Sequence, residues 1–135
     1  MSVKQVSVFL PNKPGILAKF SKLLVENDIN MRAMTVAETA DKGLLRMVVD
    51  KTDETVELLK NYNYLVSVAD VIAVEIPAKA GGLYEIADML GEADINIEYI
   101  YSSAILKPES IIVLNVDNTE RAIEIFKGKG INLVE

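Results

Sequence analysis

Hydrophobic and polar residues alternate over Val3–Leu10 and then change to a helical spacing. The two-residue period predicts a strand, and Pro11–Gly15 follows it as a turn. Beyond the turn, the apolar positions mark one face of a helix: Ile16, Leu17, Phe20, Leu23 and Leu24. The pattern therefore predicts a helix that ends near Asn27-Asp28, with Pro14 suited to its first position.

The pattern continues with two strands joined by a hairpin, a second helix and a fourth strand. Thr52 is the predicted N-cap of that helix, and acidic residues follow it in the first turn. The buried side of the helix is predicted to carry Val56, Leu59 and Tyr62. The predicted strands are Ile29–Glu38, Leu44–Val49 and Tyr64–Val68, with the hairpin turn at Thr39–Gly43.

Residues 6–31 recur at 72–97 with ten identities in 26 positions and no gap. This period is too long for a solenoid unit and suits a small domain that has been duplicated. The predicted domains are 1–68 and 69–135, each an α+β, ferredoxin-like βαββαβ fold with helices on one face of an antiparallel sheet. The second domain's predicted elements are Val71–Ile76, Gly82–Ala93, Ile95–Ser103, Ile111–Val116, Thr119–Lys129 and Ile131–Val134, with a turn around Lys107-Pro108.

Two strands are apolar on both alternating faces, namely Leu44–Val49 and Ile111–Leu114. Strands that meet water on one side usually alternate. We therefore expect the second sheet face to be covered, by the other domain packed against it or by another chain, and a homodimer is the favoured assembly.

The composition of the chain disfavours several classes of function. The 135 residues carry a net charge of −6 and no Cys or His, which disfavours nucleic acid as a partner and removes imidazole and thiolate chemistry. The acidic residues Asp50, Asp53 and Glu54 fit a helix dipole better than a metal loop. No segment is apolar enough for a membrane and no leader is recognisable, so we expect a cytoplasmic protein without a cofactor.

Two short motifs, present in both copies, are the candidates for binding chemistry. The turn before each first helix places a glycine, Gly15 or Gly81, beside unpaired backbone N–H groups that suit a carboxylate. The second motif is Asp-Ile-Asn, which ends in Asn30 or Asn96 and offers a side-chain donor and acceptor. From these residues alone, the turn is better explained as a simple helix start, whereas the Asp-Ile-Asn motif fits a local turn as well as it fits a ligand contact.

Together, the Pro-Gly-hydrophobic-Leu turn and the Asp-Ile-Asn motif within βαββαβ resemble the ACT domain family, in a tandem pair. The resemblance implies regulatory binding of a small molecule, most often an amino acid, with no catalytic residues and no metal. It places the ligand at an interface between ACT domains, where the turn of one domain and the Asn after the helix of its neighbour could both contact it. The implied ligand-binding residues are Asn12, Pro14, Gly15, Ile16, Leu17, Asn30, Gly81, Gly82, Leu83 and Asn96.

The favoured interpretation is a non-catalytic amino-acid sensor that regulates a partner metabolic enzyme. The second site is expected to be weaker, because Ala78, Ala80 and Gly82 replace Asn12, Pro14 and Ile16. Three alternatives remain: a ligand-free dimerisation module, an acylphosphatase-like enzyme, and an RNA-binding sheet. An acylphosphatase would need a phosphate-binding arginine in the first turn, which this sequence lacks. The negative net charge disfavours RNA binding.

Overall fold

The computed structural model describes residues 2–39, 42–77, 81–103 and 109–134. The chain divides into two compact units. One comprises Lys4–Ala69, and the other comprises Asp70–Glu135 together with Met1–Val3. Residues 78–80, the predicted turn around Lys107-Pro108 and residues 40–41 of the predicted hairpin turn Thr39–Gly43 lie outside the described residues. The other residues of that predicted turn belong to strands.

The first unit is built from four strands and two helices. The elements are β1 Val3–Pro11, α1 Ile16–Glu26, β2 Met31–Thr39, β3 Lys42–Val49, α2 Thr52–Asn61 and β4 Val66–Pro77. The sheet has the strand order β2-β3-β1-β4, in which β3 runs antiparallel to both β1 and β2. The residue before β4 is hydrogen-bonded to β1, since the Phe9 N–H donates to the Leu65 carbonyl at 3.3 Å.

The second unit repeats this plan with the later part of β4 as its first strand. The further elements are α3 Gly82–Glu92, β5 Ile97–Ser102, β6 Glu109–Val116, α4 Thr119–Gly128 and β7 Asn132–Leu133. The strand order is β5-β6-β4-β7, and every pair is antiparallel. Each unit is therefore a ferredoxin-like α+β fold, as the sequence predicted.

Each unit has its own apolar core between the sheet and its helices. In the first unit, Phe20 and Leu24 of α1 and Leu59 of α2 pack against alternate residues of β1 and β3. Each such buried side chain contributes roughly 1.5–3 kcal/mol through removal from water. The core of the second unit uses the equivalent positions: Ile72, Val74, Ile76, Ile86, Leu90, Ile95, Leu114, Val116, Ala122 and Phe126.

The sheet face away from the helices is also partly covered. Val48 and Val113 lie outside both helix-facing clusters, yet they are 6% and 1% exposed. The expectation of buried second-face residues is therefore met at these two positions.

Three local predictions were wrong. Pro14 precedes α1 instead of opening it, because Gly15 adopts a left-handed conformation that is not helical, with φ 84°. Thr52 is the first residue of α2, and Lys51 is its N-cap. Tyr62 follows the helix and is 59% exposed, so it does not belong to the buried side.

Strand four of the first unit and strand one of the second were predicted as separate elements. They form one strand, β4, with the boundary between units falling at Ala69-Asp70 within it. No turn residue other than Asp70 separates the two apolar segments, so the extended conformation continues.

Candidate functional site

The β1–α1 turn of the first unit ends in a tightly hydrogen-bonded loop. The Lys13 N–H donates to the Pro11 carbonyl at 3.0 Å, and the Ile16 N–H donates to the Lys13 carbonyl at 3.4 Å. The Gly15 carbonyl accepts from the Lys19 N–H at 3.0 Å, which is the first bond of helical spacing. The first-turn N–H groups that precede this bond, such as that of Leu17, have no partner within the helix.

Gly15 keeps the end of this helix open. Its left-handed conformation suits glycine, and apart from Gly15 and its two chain neighbours no heavy atom of the described residues lies within 4 Å of where a Cβ would stand. No side chain in the described part of the unit caps the helix. The arrangement combines a partial positive charge with free space above the backbone, which is what an approaching carboxylate requires.

The second unit reproduces this geometry around Gly81. This glycine has φ 95° and a likewise open Cβ position, and its carbonyl accepts from the Glu85 N–H at 3.0 Å. Gly82 is buried, and Leu83 is 55% exposed, compared with 42% for Leu17. The predicted replacements of Asn12 and Pro14 by Ala78 and Ala80 lie outside the described residues.

The two helix starts differ in charge. The first turn of α3 contains Glu85, whereas the first turn of α1 contains no acidic residue. In the repeat, Glu85 occupies the position of Lys19. A carboxylate at a helix N-terminus already compensates the dipole and repels a second anion, so the first unit offers the better anion site. The sequence comparison had overlooked this charge reversal.

Asn12 lies at the same end of the sheet as Gly15. Its Nδ2 donates to Glu38 Oε1 at 3.2 Å, which ties the turn to the end of β2. The first unit therefore brings together five of the predicted ligand-binding residues on one turn: Asn12, Pro14, Gly15, Ile16 and Leu17.

Asn30 lies at the opposite end of the unit. The 11-residue helix α1 separates it from Gly15, a span of about 16 Å at 1.5 Å per residue. Its backbone N–H donates to Asp50 Oδ1 at 3.1 Å, and its Nδ2 donates to Oδ2 at 3.4 Å. Asn96 has the same backbone bond to Asp117 Oδ1, at 3.1 Å. Within one unit, the structure does not bring the asparagine and the turn together.

The described residues hold no group of three or more acidic or other metal-binding side chains that could hold a metal ion. None of the helices that the structure describes reaches the length and apolar character that a bilayer crossing demands.

The chain belongs to the ACT domain pair family, whose model matches residues 1–135. Among solved structures it is similar to protein BT0572 from Bacteroides thetaiotaomicron, with 34% identity and a TM-score of 0.92 over 99% of this chain and 92% of that one. It also shares its fold with the regulatory subunit of aspartate kinase from Thermus thermophilus, at 17% identity and a TM-score of 0.67, over 93% of this chain and 90% of that one.

One curated relative is the small subunit of acetolactate synthase from Mycolicibacterium smegmatis. The two are 33% identical over 73 residues, which are 52% of this chain. The match spans less than half of that subunit, 43% of its length. The aspartate kinase and acetolactate synthase proteins are thus regulatory or small subunits by name.

Proposed function

We propose that this chain is a non-catalytic regulatory protein that senses an amino acid at the β1–α1 turn of its first unit. The observation that carries the proposal is the start of α1 behind Gly15, where no side chain among the described residues caps the helix or occupies the space of a Cβ. Membership of the ACT domain pair family supports a regulatory role for this turn.

The backbone N–H groups of Gly15, Ile16 and Leu17 would hold the ligand's α-carboxylate. The Ile16 N–H bond at 3.4 Å is longer than the usual range for such bonds, so little is lost when it turns toward a charged acceptor. Asn12 would close the pocket, since its amide lies on the surface beside Glu38. Pro14 limits the freedom of the turn and lowers the entropy lost on binding.

Asn30 enters this proposal through a second copy of the chain. It is too far from Gly15 to serve the same unit's turn, so it would orient the ligand's α-ammonium only across a homodimer. The equivalent site of the second unit, formed by Gly81, Gly82, Leu83 and Asn96, would bind more weakly because of Glu85.

We further propose a metabolic enzyme as the regulated partner and the cytoplasm as the place of action. Support comes from the two relatives whose names attach them to aspartate kinase and acetolactate synthase. Ligand binding would act by stabilising the conformation that binds the ligand more tightly, which then changes the affinity for the partner.

A thermal-shift screen of the twenty common amino acids tests the proposal. A ligand at a hundred times its Kd stabilises the folded state by about 2.7 kcal/mol, which corresponds to a Tm increase of roughly 5–10 °C for a chain of this size. The decarboxylated amine of the active amino acid is the control and should give no increase. If no amino acid raises the Tm at millimolar concentration, the ligand-free dimerisation module becomes the better account.

A further inference from the structure

A second surface feature of the first unit lies between the end of β1 and the loop that joins α2 to β4. It is a groove of about 600 Å³, a volume typical of small-molecule sites. All of its lining residues belong to the unit Lys4–Ala69. Those that matter here are Phe9, Lys13, Lys42, Tyr62 and Leu65.

The groove exposes three large apolar side chains to water. Phe9, Tyr62 and Leu65 are 41%, 59% and 67% exposed. The loop between α2 and β4 is held against the core, because Tyr64 packs edge-to-face on Phe20 with ring centroids 5.4 Å apart. A cluster of exposed apolar side chains on a firmly held loop is typical of a binding surface.

The duplicated second unit shows that the fold does not demand this apolar surface. The positions of Phe9, Tyr62 and Leu65 are occupied there by Glu75, Lys129 and Asn132. Glu75 and Asn132 are paired in the sheet register, and Asn132 Nδ2 donates to Glu75 Oε2 at 2.8 Å. The same backbone therefore carries a polar pair in one unit and an exposed apolar pair in the other.

One of the two positive charges beside the groove also differs between the repeats, whereas the other, Lys13, recurs as Lys79. Lys13 and Lys42 both line the groove, in a chain whose net charge is −6. Lys42 pairs with Pro11 in the sheet, and the equivalent partner of Pro77 is Glu109. At this register position the first unit has a lysine that lines the apolar groove, and the sequence of the second unit has a glutamate. This combination complements a molecule with an apolar body and a negative charge.

We propose that this groove is a binding site for a small apolar carboxylate, such as an aromatic acid. The ring lies over Phe9, Tyr62 and Leu65, and the carboxylate lies between Lys13 and Lys42. The site uses neither Gly15 nor an ammonium-binding group, so it does not depend on the amino-acid site proposed above. Its recognition chemistry differs as well, since two lysines disfavour the positive charge of a free amino acid.

Phenylacetate is the probe, with phenylacetamide and acetate as controls that remove the charge or the ring. The readout is the backbone amide NMR shifts of Lys42, Asn63 and Tyr64 during titration. A probe of this size should bind with a Kd of about 1–10 mM. Phenylacetamide should bind about fivefold more weakly, acetate should produce no saturable shift at these amides, and high salt should weaken phenylacetate.

Two variants take their residues from the second unit. Phe9→Glu with Leu65→Asn reproduces the Glu75–Asn132 pair, and Lys42→Glu reproduces the charge at Glu109. The first should abolish phenylacetate binding and the second should weaken it about tenfold, while circular dichroism shows an unchanged fold. If the double variant does not fold, Lys42→Glu alone decides the question.

Three results would overturn the proposal. Phenylacetate and phenylacetamide binding equally would remove the role of the lysines. Loss of phenylacetate binding in Gly15→Ala would mean that the groove is part of the amino-acid site. A lower sedimentation coefficient in the double variant, without any phenylacetate binding to the wild type, would make the groove a contact between copies of the chain.

Discussion

Asn30, which precedes β2, and Asp50, which follows β3, are joined by reciprocal hydrogen bonds. The Asp50 carboxylate accepts from the Asn30 backbone N–H at 3.1 Å, and the Asp50 N–H donates to the Asn30 carbonyl at 3.2 Å. Asn96 and Asp117 repeat both bonds at 3.1 Å. The backbone at the Asn of the Asp-Ile-Asn motif is therefore held by an aspartate in each unit, which leaves the role of the Asn side chain to be tested separately.

Asp50→Ala and Asp117→Ala should each destabilise the protein by about 0.5–1.5 kcal/mol. Each change removes a charged acceptor from an exposed backbone N–H, where water replaces part of the lost bond. Asn30→Ala should cost less than Asp50→Ala, because it removes only the 3.4 Å side-chain bond. Urea unfolding of the three variants measures these changes as shifts in the midpoint concentration, provided that the denaturant dependence of the unfolding free energy stays constant. A greater loss of stability from Asn30→Ala than from Asp50→Ala would contradict this assignment.

Two glycines near the end of α4 should respond oppositely to alanine. Gly128 is the last residue of the helix, and a Cβ there meets nothing within 4 Å in the described structure. Gly128→Ala should therefore stabilise the protein by about 0.5–1 kcal/mol. Gly130 has φ 73°, so Gly130→Ala should destabilise it by about 1–2 kcal/mol.

Gly130→Asn provides the matched control. The equivalent residue of the first unit is Asn63, which adopts φ 63°, and asparagine tolerates this region better than alanine does. Thermal unfolding should rank the Gly130 variants with asparagine above alanine. The opposite order, or a loss of stability in Gly128→Ala, would show that backbone conformation does not determine the effect of these substitutions on stability.

Self-association should involve β2, whose neighbour among the described strands is β3 alone. An exposed strand edge is available for pairing with another chain, and Val36 of β2 is 48% exposed. Sedimentation velocity should show about twice the 14.8 kDa mass of the chain, and Val36→Lys should shift the protein toward monomer. Val25→Lys is the control, because Val25 is 75% exposed on α1. A monomeric wild type at high concentration would rule out the dimer.

Periodicity and the internal repeat were enough to predict the fold. The apolar spacing of Phe20 and Leu24 and the alternation of Val6 and Val8 correspond directly to the observed core. Patterns of this kind report which side of an element faces the core. Because the domain is duplicated, each element could be predicted from two copies of the pattern.

Helix starts were harder to predict, because they depend on single dihedral angles and hydrogen bonds. Pro14 suited a first helical position, but the left-handed Gly15 moved the start to Ile16. Thr52 was predicted to be the N-cap of α2. In the second unit, the N-cap of α4 is Asn118, whose Oδ1 accepts from the Arg121 N–H at 3.2 Å, and Asn118 corresponds to the residue before Thr52. Aligning Lys51 with Asn118 would have corrected the prediction.

The sequence singled out candidate site residues, but it did not predict all of their contacts. Residues adjacent in sequence, such as Asn12 and Gly15, necessarily share one turn. The separation of Asn30 from that turn follows from the direction of β2 and the length of α1, and the pairing of Asn30 with Asp50 joins residues 20 positions apart. Neither spacing nor composition reports such a long-range contact.

The most direct test of the proposed sensor is calorimetric titration of the active amino acid into the wild type, Gly15→Ala and Gly81→Ala. Both substitutions put a methyl group on a left-handed glycine with open space above it, so both should lose about 1–2 kcal/mol of stability. Only Gly15→Ala blocks the helix start that lacks an acidic residue. We expect the affinity for the amino acid to fall at least tenfold in Gly15→Ala and to change less than twofold in Gly81→Ala. Equal losses, or a greater loss from Gly81→Ala, would contradict the proposal.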